Sequence, residues 1–95
     1  MLIIAVTFAV KPAHLEAFRS AVLKNAAASL ADEKDCHTFD VCAGANATIY
    51  LYERYANEAA FDVHLASAHF IEFDQLVTPW IESKTVQRYQ LISPT

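Results

Sequence analysis

The chain has 95 residues, 55% of them hydrophobic and 19% charged, with a net charge of −4, which is enough for one domain and one core. That balance excludes a basic nucleic-acid footprint and a polybasic membrane patch. Six Phe, four Tyr and one Trp are many aromatics for so small a domain, and point to an aromatic-lined cavity or to a face buried against a partner.

Leu2 to Val10 alternates, with Leu2, Ile4, Val6, Phe8 and Val10 on a large apolar face and Ile3, Ala5, Thr7 and Ala9 on a smaller one. Such a strand is expected to be covered on both sides. It is too short to span a bilayer as a helix, and with no charged segment before it or cleavage-like continuation after it, it does not read as a signal peptide. Lys11-Pro12 ends the strand and opens a helix. The helix is predicted over Pro12 to Ala31, with Leu15, Phe18, Val22, Asn25 and Ser29 on one stripe. Asp32 to Asp35 reads as a solvated turn.

A second strand is predicted from Cys36 to Ala43, with His37, Phe39, Val41 and Ala43 on its more apolar face. Cys36 and Cys42 then share a side, six residues or about 20 Å apart, too far for a disulfide. Two free thiols suggest a reducing, cytoplasmic address. Ala43 to Ala47, with Gly44 and Asn46, reads as a hairpin loop. Thr48 to Tyr55 follows as a strand, with Ile49, Leu51, Glu53 and Tyr55 facing one way and Thr48, Tyr50, Tyr52 and Arg54 the other. Asn57 caps a short helix to about Leu65, Ser67 is a break, and a third helix is predicted over His69 to Ile81, burying Phe70, Phe73, Val77 and Trp80. The last strand is predicted over Thr85 to Ile92.

The order β-α-β-β-α-β, with its second helix in two pieces, predicts an α+β ferredoxin-like fold, a four-stranded antiparallel sheet with helices on one face. Tyr50, Tyr52, Ile3 and Ala5 then lie on the uncovered face, which predicts a homodimer through the sheet faces. The metal-binding spacings CxxC and HExxH are missing, and a single glycine, Gly44, makes no phosphate loop. No cofactor is therefore expected.

Four polar groups fall on inward-facing positions: Asn25, Glu53, His64 and, opening the third helix, His69. A buried carboxylate beside an imidazole is costly unless paired; paired, Glu53 and His64 form either a structural hydrogen bond or a proton-transfer unit. Phe39, Tyr55, Phe73 and Trp80 are the expected walls of an aromatic substrate pocket.

The segments CHTFDV (Cys36–Val41), YLYERY (Tyr50–Tyr55), AAFDVHLASAHF (Ala59–Phe70) and NAAAS (Asn25–Ser29) resemble the antibiotic biosynthesis monooxygenase domain, in particular its small bacterial quinol monooxygenase branch. The resemblance implies a dimeric α+β barrel with one pocket per subunit. It also implies cofactor-free oxidation of a quinol or polyketide-like phenol by molecular oxygen. In that reading His64 or His69, assisted by Glu53, is the base and Asn25 meets the developing oxyanion. Related haem-degrading enzymes use an Asn, a Trp and a His; Val6 and Tyr55 stand where the first two would be, which argues against that activity. An isomerase working through an enediol on a phosphorylated dicarbonyl compound would use the same parts but needs a phosphate site. A non-catalytic dimer that binds a small apolar ligand is the third possibility.

Overall fold

The computed structural model describes residues 1–93. The elements are β1 (Leu2–Val10), α1 (Leu15–Asp32), β2 (Cys36–Ala43), β3 (Thr48–Tyr55), α2 (Glu58–Leu65), α3 (Ala68–Val77) and β4 (Ile81–Gln90), with single 3-10 turns at Pro12–His14 and Thr78–Trp80. The strands form one antiparallel sheet in the order β2-β3-β1-β4. This is the expected α+β ferredoxin-like arrangement.

Local chemistry sets the boundaries. Pro12 preorganises the first turn, but its three residues are 3-10 and the α-helix begins at Leu15. Asn57 caps α2 by accepting from the Ala60 amide at 2.9 Å, and Ser67 caps α3 by accepting from Phe70 at 3.2 Å. The Ser67 hydroxyl also donates to the His64 carbonyl at 2.7 Å, so one side chain closes α2 and opens α3. Helix α3 stops at Val77 rather than Ile81, because Pro79 forces a 3-10 turn and Ile81 already pairs with Val10. β4 accordingly starts four residues before the expected Thr85 and ends at Gln90, before Ile92.

The core lies between the sheet and the helices. Phe8 meets Phe18 edge-on at 5.0 Å between ring centroids, and Phe73 stands 5.9 Å from Phe18. Phe18 is fully buried, which is worth roughly 2–3 kcal/mol. On the other side of the sheet, Ile3 and Ala5 are buried within the chain, beside their register neighbours Arg54, Tyr89, Tyr52 and Gln87.

Strand β2 departs from simple alternation. A register shift between Cys36 and Thr38 puts Cys36 and Phe39 in the core while His37 turns outward. Cys36 and Cys42 therefore do not share an environment, since one is buried and the other exposed. Both are free.

Candidate functional site

A cavity of about 220 Å³ opens between the helices and the β1, β3 and β4 part of the sheet. Its walls are mostly apolar, from Ile4, Val6 and Phe8 below to Phe61, Phe70 and Phe73 above. The polar groups on its surface are Asn25, Glu53, His64, Lys84 and Arg88.

Glu53 reaches it because strand alternation places it between Leu51 and Tyr55 on the helix-facing side of β3, opposite Ile4. It is 3% exposed. The Tyr55 hydroxyl donates to Glu53 Oε1 at 2.6 Å, yet burial outweighs that bond and raises the carboxyl from its ordinary 4.5 to about 7. Burial and the neighbouring Glu53 charge in turn hold the Tyr55 phenol protonated, far above its ordinary range.

His64 sits in the last turn of α2 and is 2% exposed. Its partner is not Glu53, as expected, but Glu33. His64 Nδ1 lies 2.9 Å from Glu33 Oε2, and His69 Nε2 lies 2.5 Å from the same oxygen. With Glu33 ionised, both imidazoles donate to it. Burial is the largest influence on His64 and holds it below its ordinary 6.5 despite the carboxylate, so the ring is neutral around pH 7. Ser29 Oγ donates to the Asn25 carbonyl at 2.8 Å and sits 3.5 Å from His64 Nδ1.

Glu33 overturns the reading of Asp32 to Asp35 as a solvated turn, for it is 7% exposed. It is the C-cap of α1, its amide donating to the Ser29 carbonyl at 3.1 Å. The signal for it was present: the stripe Phe18, Val22, Asn25, Ser29 continues by one more step of four to Glu33.

Of the expected site residues, Glu53, His64, Asn25, Phe39 and Phe73 line the main cavity. His69 does not. It lines a smaller cleft between α1 and α3 and reaches the site through Glu33. Tyr55 is fully buried behind Glu53, with its ring 5.5 Å from that of His64. Trp80 falls outside both cavities. Its 3-10 turn carries it off the α3 stripe, and it stacks on His14 at 5.6 Å with an interplanar angle of 8°. Lys84 and Arg88 were missed; both alternate with Val86 on the helix-facing side of β4.

Among the described residues, Asn25 Oδ1 is buried without a hydrogen-bond partner, as is Glu33 Oε1. The donors of Glu33, His64 and His69 lie within 4.8 Å of one another, a set that can bind zinc or iron. Each imidazole nitrogen stands at hydrogen-bond length from the Glu33 oxygen, whereas a tetrahedral metal with about 2.1 Å bonds spaces its donors by about 3.4 Å. The arrangement present is a two-donor carboxylate clamp. Burial, with Glu33 and Glu53 nearby, pushes the Cys36 thiol up to about 12, which disfavours the nucleophilic thiolate.

Residues 1–76 match the family model described as antibiotic biosynthesis monooxygenase. The chain is similar to a structure described as a "putative antibiotic biosynthesis monooxygenase from Nitrosomonas europaea". The two are 26% identical with a TM-score of 0.92, over 98% of this chain and 100% of that one. A "putative monooxygenase from Lactobacillus acidophilus" is also 26% identical, with a TM-score of 0.88 over 92% of this chain and 42% of that one. A Caulobacter crescentus structure, 19% identical over 97% of this chain and 90% of that one, shares the fold with a TM-score of 0.93. No curated protein matches the chain. Family and neighbours together support a monooxygenase-like function on a small molecule. Among the described residues, no helix is long and apolar enough to cross a membrane.

Proposed function

The chain belongs to the antibiotic biosynthesis monooxygenase family, and we propose that it oxidises a small quinol or phenolic compound with molecular oxygen, using no cofactor. The observation that carries this reading is the His64 ring, which lines the apolar cavity with Nδ1 tied to a buried carboxylate. Donation of Nδ1–H to Glu33 fixes the tautomer and leaves Nε2 as the basic nitrogen. A neutral, oriented imidazole in an aromatic-walled cavity is suited to remove a proton from a bound phenol. His69, on the same Glu33 oxygen, steadies the clamp and is a positioning residue.

The substrate anion is electron-rich enough to reduce oxygen itself. A ring carbon that bears two hydrogens in the keto form becomes a carbonyl. One oxygen atom ends there and the other leaves as water, with all electrons drawn from the substrate. Glu53, whose carboxyl burial raises to about 7, donates a hydrogen bond to the substrate oxygen when protonated or returns a proton to reduced oxygen. The Asn25 amide NH₂ donates to the developing oxyanion. The aromatic ring of Phe39, 5.8 Å from that of His64, packs beside the base.

A second reading is favoured by Lys84 and Arg88 on the cavity surface. An isomerase that passes a proton between His64 and Glu53 through an enediol would suit an anionic dicarbonyl compound and would turn over without oxygen. The homodimer expected from the sheet is also part of the proposal. Tyr50 and Tyr89 remain exposed on the uncovered face, and pairing two such faces would bury them.

The test is oxygen uptake with a panel of quinols by flavin-free, metal-free protein. Uptake above the uncatalysed rate, falling about 10²–10⁴-fold in His64→Ala, is the expected result. Uptake that stays at the uncatalysed rate for every quinol sinks the oxygenase reading, and turnover under nitrogen replaces it with the isomerase.

A further inference from the structure

Two charged side chains in the cavity wall take no part in the proton relay. Strand β4 turns Lys84, Val86 and Arg88 toward the helices, opposite Phe8, Val6 and Ile4 of β1, and all three line the cavity. They form its rim rather than its floor. Val86 is 47% exposed, and the charged side chains on either side of it are 34% and 51% exposed.

Both cations are held over rings that are themselves cavity wall. The Lys84 ammonium stands 5.6 Å from the Phe8 centroid and 5.9 Å from that of Phe70, and the Arg88 guanidinium 5.1 Å from that of Phe61. Neither is consumed by its carboxylate neighbour. Asp74 is 4.0 Å from Lys84 Nζ, beyond a hydrogen bond. Glu58 takes one nitrogen of Arg88, at 2.7 Å, out of a fork with five N–H donors. The positive charge of Lys84 is also felt inside, where it favours the ionised form of Glu53 and the neutral form of His64. In a chain of net charge −4 with seven Lys and Arg in all, two cations framing one apolar cavity are a specific placement. A neutral quinol would gain no more than ordinary hydrogen bonds from them. An anion would gain charge-assisted hydrogen bonds at the entrance while its carbon skeleton fills the interior.

We propose that the ligand of this cavity carries an acidic group, a carboxylate or a phosphate, that docks at the rim between Lys84 and Arg88 and aims the opposite end of the molecule at His64. The inference rests on the cavity being the substrate site, and it names the substrate class for that site.

The test compares three probes by calorimetric titration of the intact protein: hydroquinone, 2,5-dihydroxybenzoate and phenyl phosphate. The expected result is that at least one acid binds about tenfold or more tighter than hydroquinone, with an advantage that shrinks as salt is added. The tighter of the two identifies the acidic group. In the double variant Lys84→Met/Arg88→Met the advantage disappears while the far-UV circular dichroism spectrum stays that of the parent, which shows that the fold is intact; in Lys84→Arg the advantage survives. Equal affinity for all three probes, no binding of any, or an advantage that persists in the double Met variant overturns the proposal. Its failure is distinguishable from failure of the oxidation reading. Oxygen uptake with neutral quinols but no preference for acids defeats this inference alone, and acid preference without turnover defeats the oxidation alone.

Discussion

The layer between helices and sheet holds two buried carboxylates in different chemical company. Glu33, at the end of α1, accepts from two imidazoles through one oxygen. Glu53, in the middle of β3, accepts from a single phenol and otherwise faces a cavity walled by aromatic and aliphatic side chains. Held between two ring nitrogens on one oxygen, Glu33 is placed to orient both rings. One donor and an apolar surround push Glu53 up to about 7, where it can give or take a proton. The same side chain is thus an anchor in one place and an acid in the other, set by surroundings alone.

The largest expected effect comes from removing the anchor. Glu33→Ala leaves two imidazole N–H donors without their acceptor in a buried site, and the loss expected for such unsatisfied donors is about 2–3 kcal/mol. For a domain of this size that lowers Tm by about 8–24 °C. Turnover should fall along with it, because His64 loses its fixed tautomer. A thermal melt within a few degrees of the parent protein would mean that the clamp contributes little and that the two carboxylates are more alike than their surroundings suggest.

These two groups also differ in how far they could be read from the sequence. Glu53 was legible because a strand has a period of two, and Leu51 and Tyr55 on either side of it leave no doubt about its face. Glu33 was hidden in the charged run Asp32 to Asp35, where composition says solvent. Its inward course depends on the α1 stripe running one step past the predicted helix end, and on a break at Ser67 that swings His64 and His69 onto it from two different helices. The register shift at Cys36 is a similar case, since alternation alone placed His37 inside. Trp80 failed for the opposite reason: the helical period was carried past Val77, although Pro79 already barred it. Long periodic segments were thus readable, while the joints between them, where this site is built, were not.

The second effect is a difference in pH dependence. Glu53 binds its proton more tightly folded than unfolded, so its contribution to stability falls as pH rises from 4.5 to about 7. His64 acts in the opposite sense. Burial makes its folded form harder to protonate, so below pH 6.5 the unfolded chain takes up the proton first and stability is lost as pH falls. Glu53→Gln removes the first slope and leaves the second. Relative to the parent, the variant should gain on the order of 2–3 kcal/mol between pH 4 and pH 8, read from urea denaturation at the two values. An unchanged difference would place Glu53 in an environment much closer to water than its burial implies.

The smallest effect tests the single donor that Glu53 keeps. Tyr55→Phe deletes the phenol that holds Oε1 at 2.6 Å and should cost about 1–2 kcal/mol. The cost should depend on pH, because the bond is charge-assisted when Glu53 is ionised and ordinary when it is protonated. The loss is therefore expected to be larger at pH 8 than at pH 5, and the midpoint of the Glu53-dependent stability change should move up. Equal losses at both values would mean that the hydroxyl's bond does not sense the charge on Glu53, and that burial by itself decides where this carboxyl titrates.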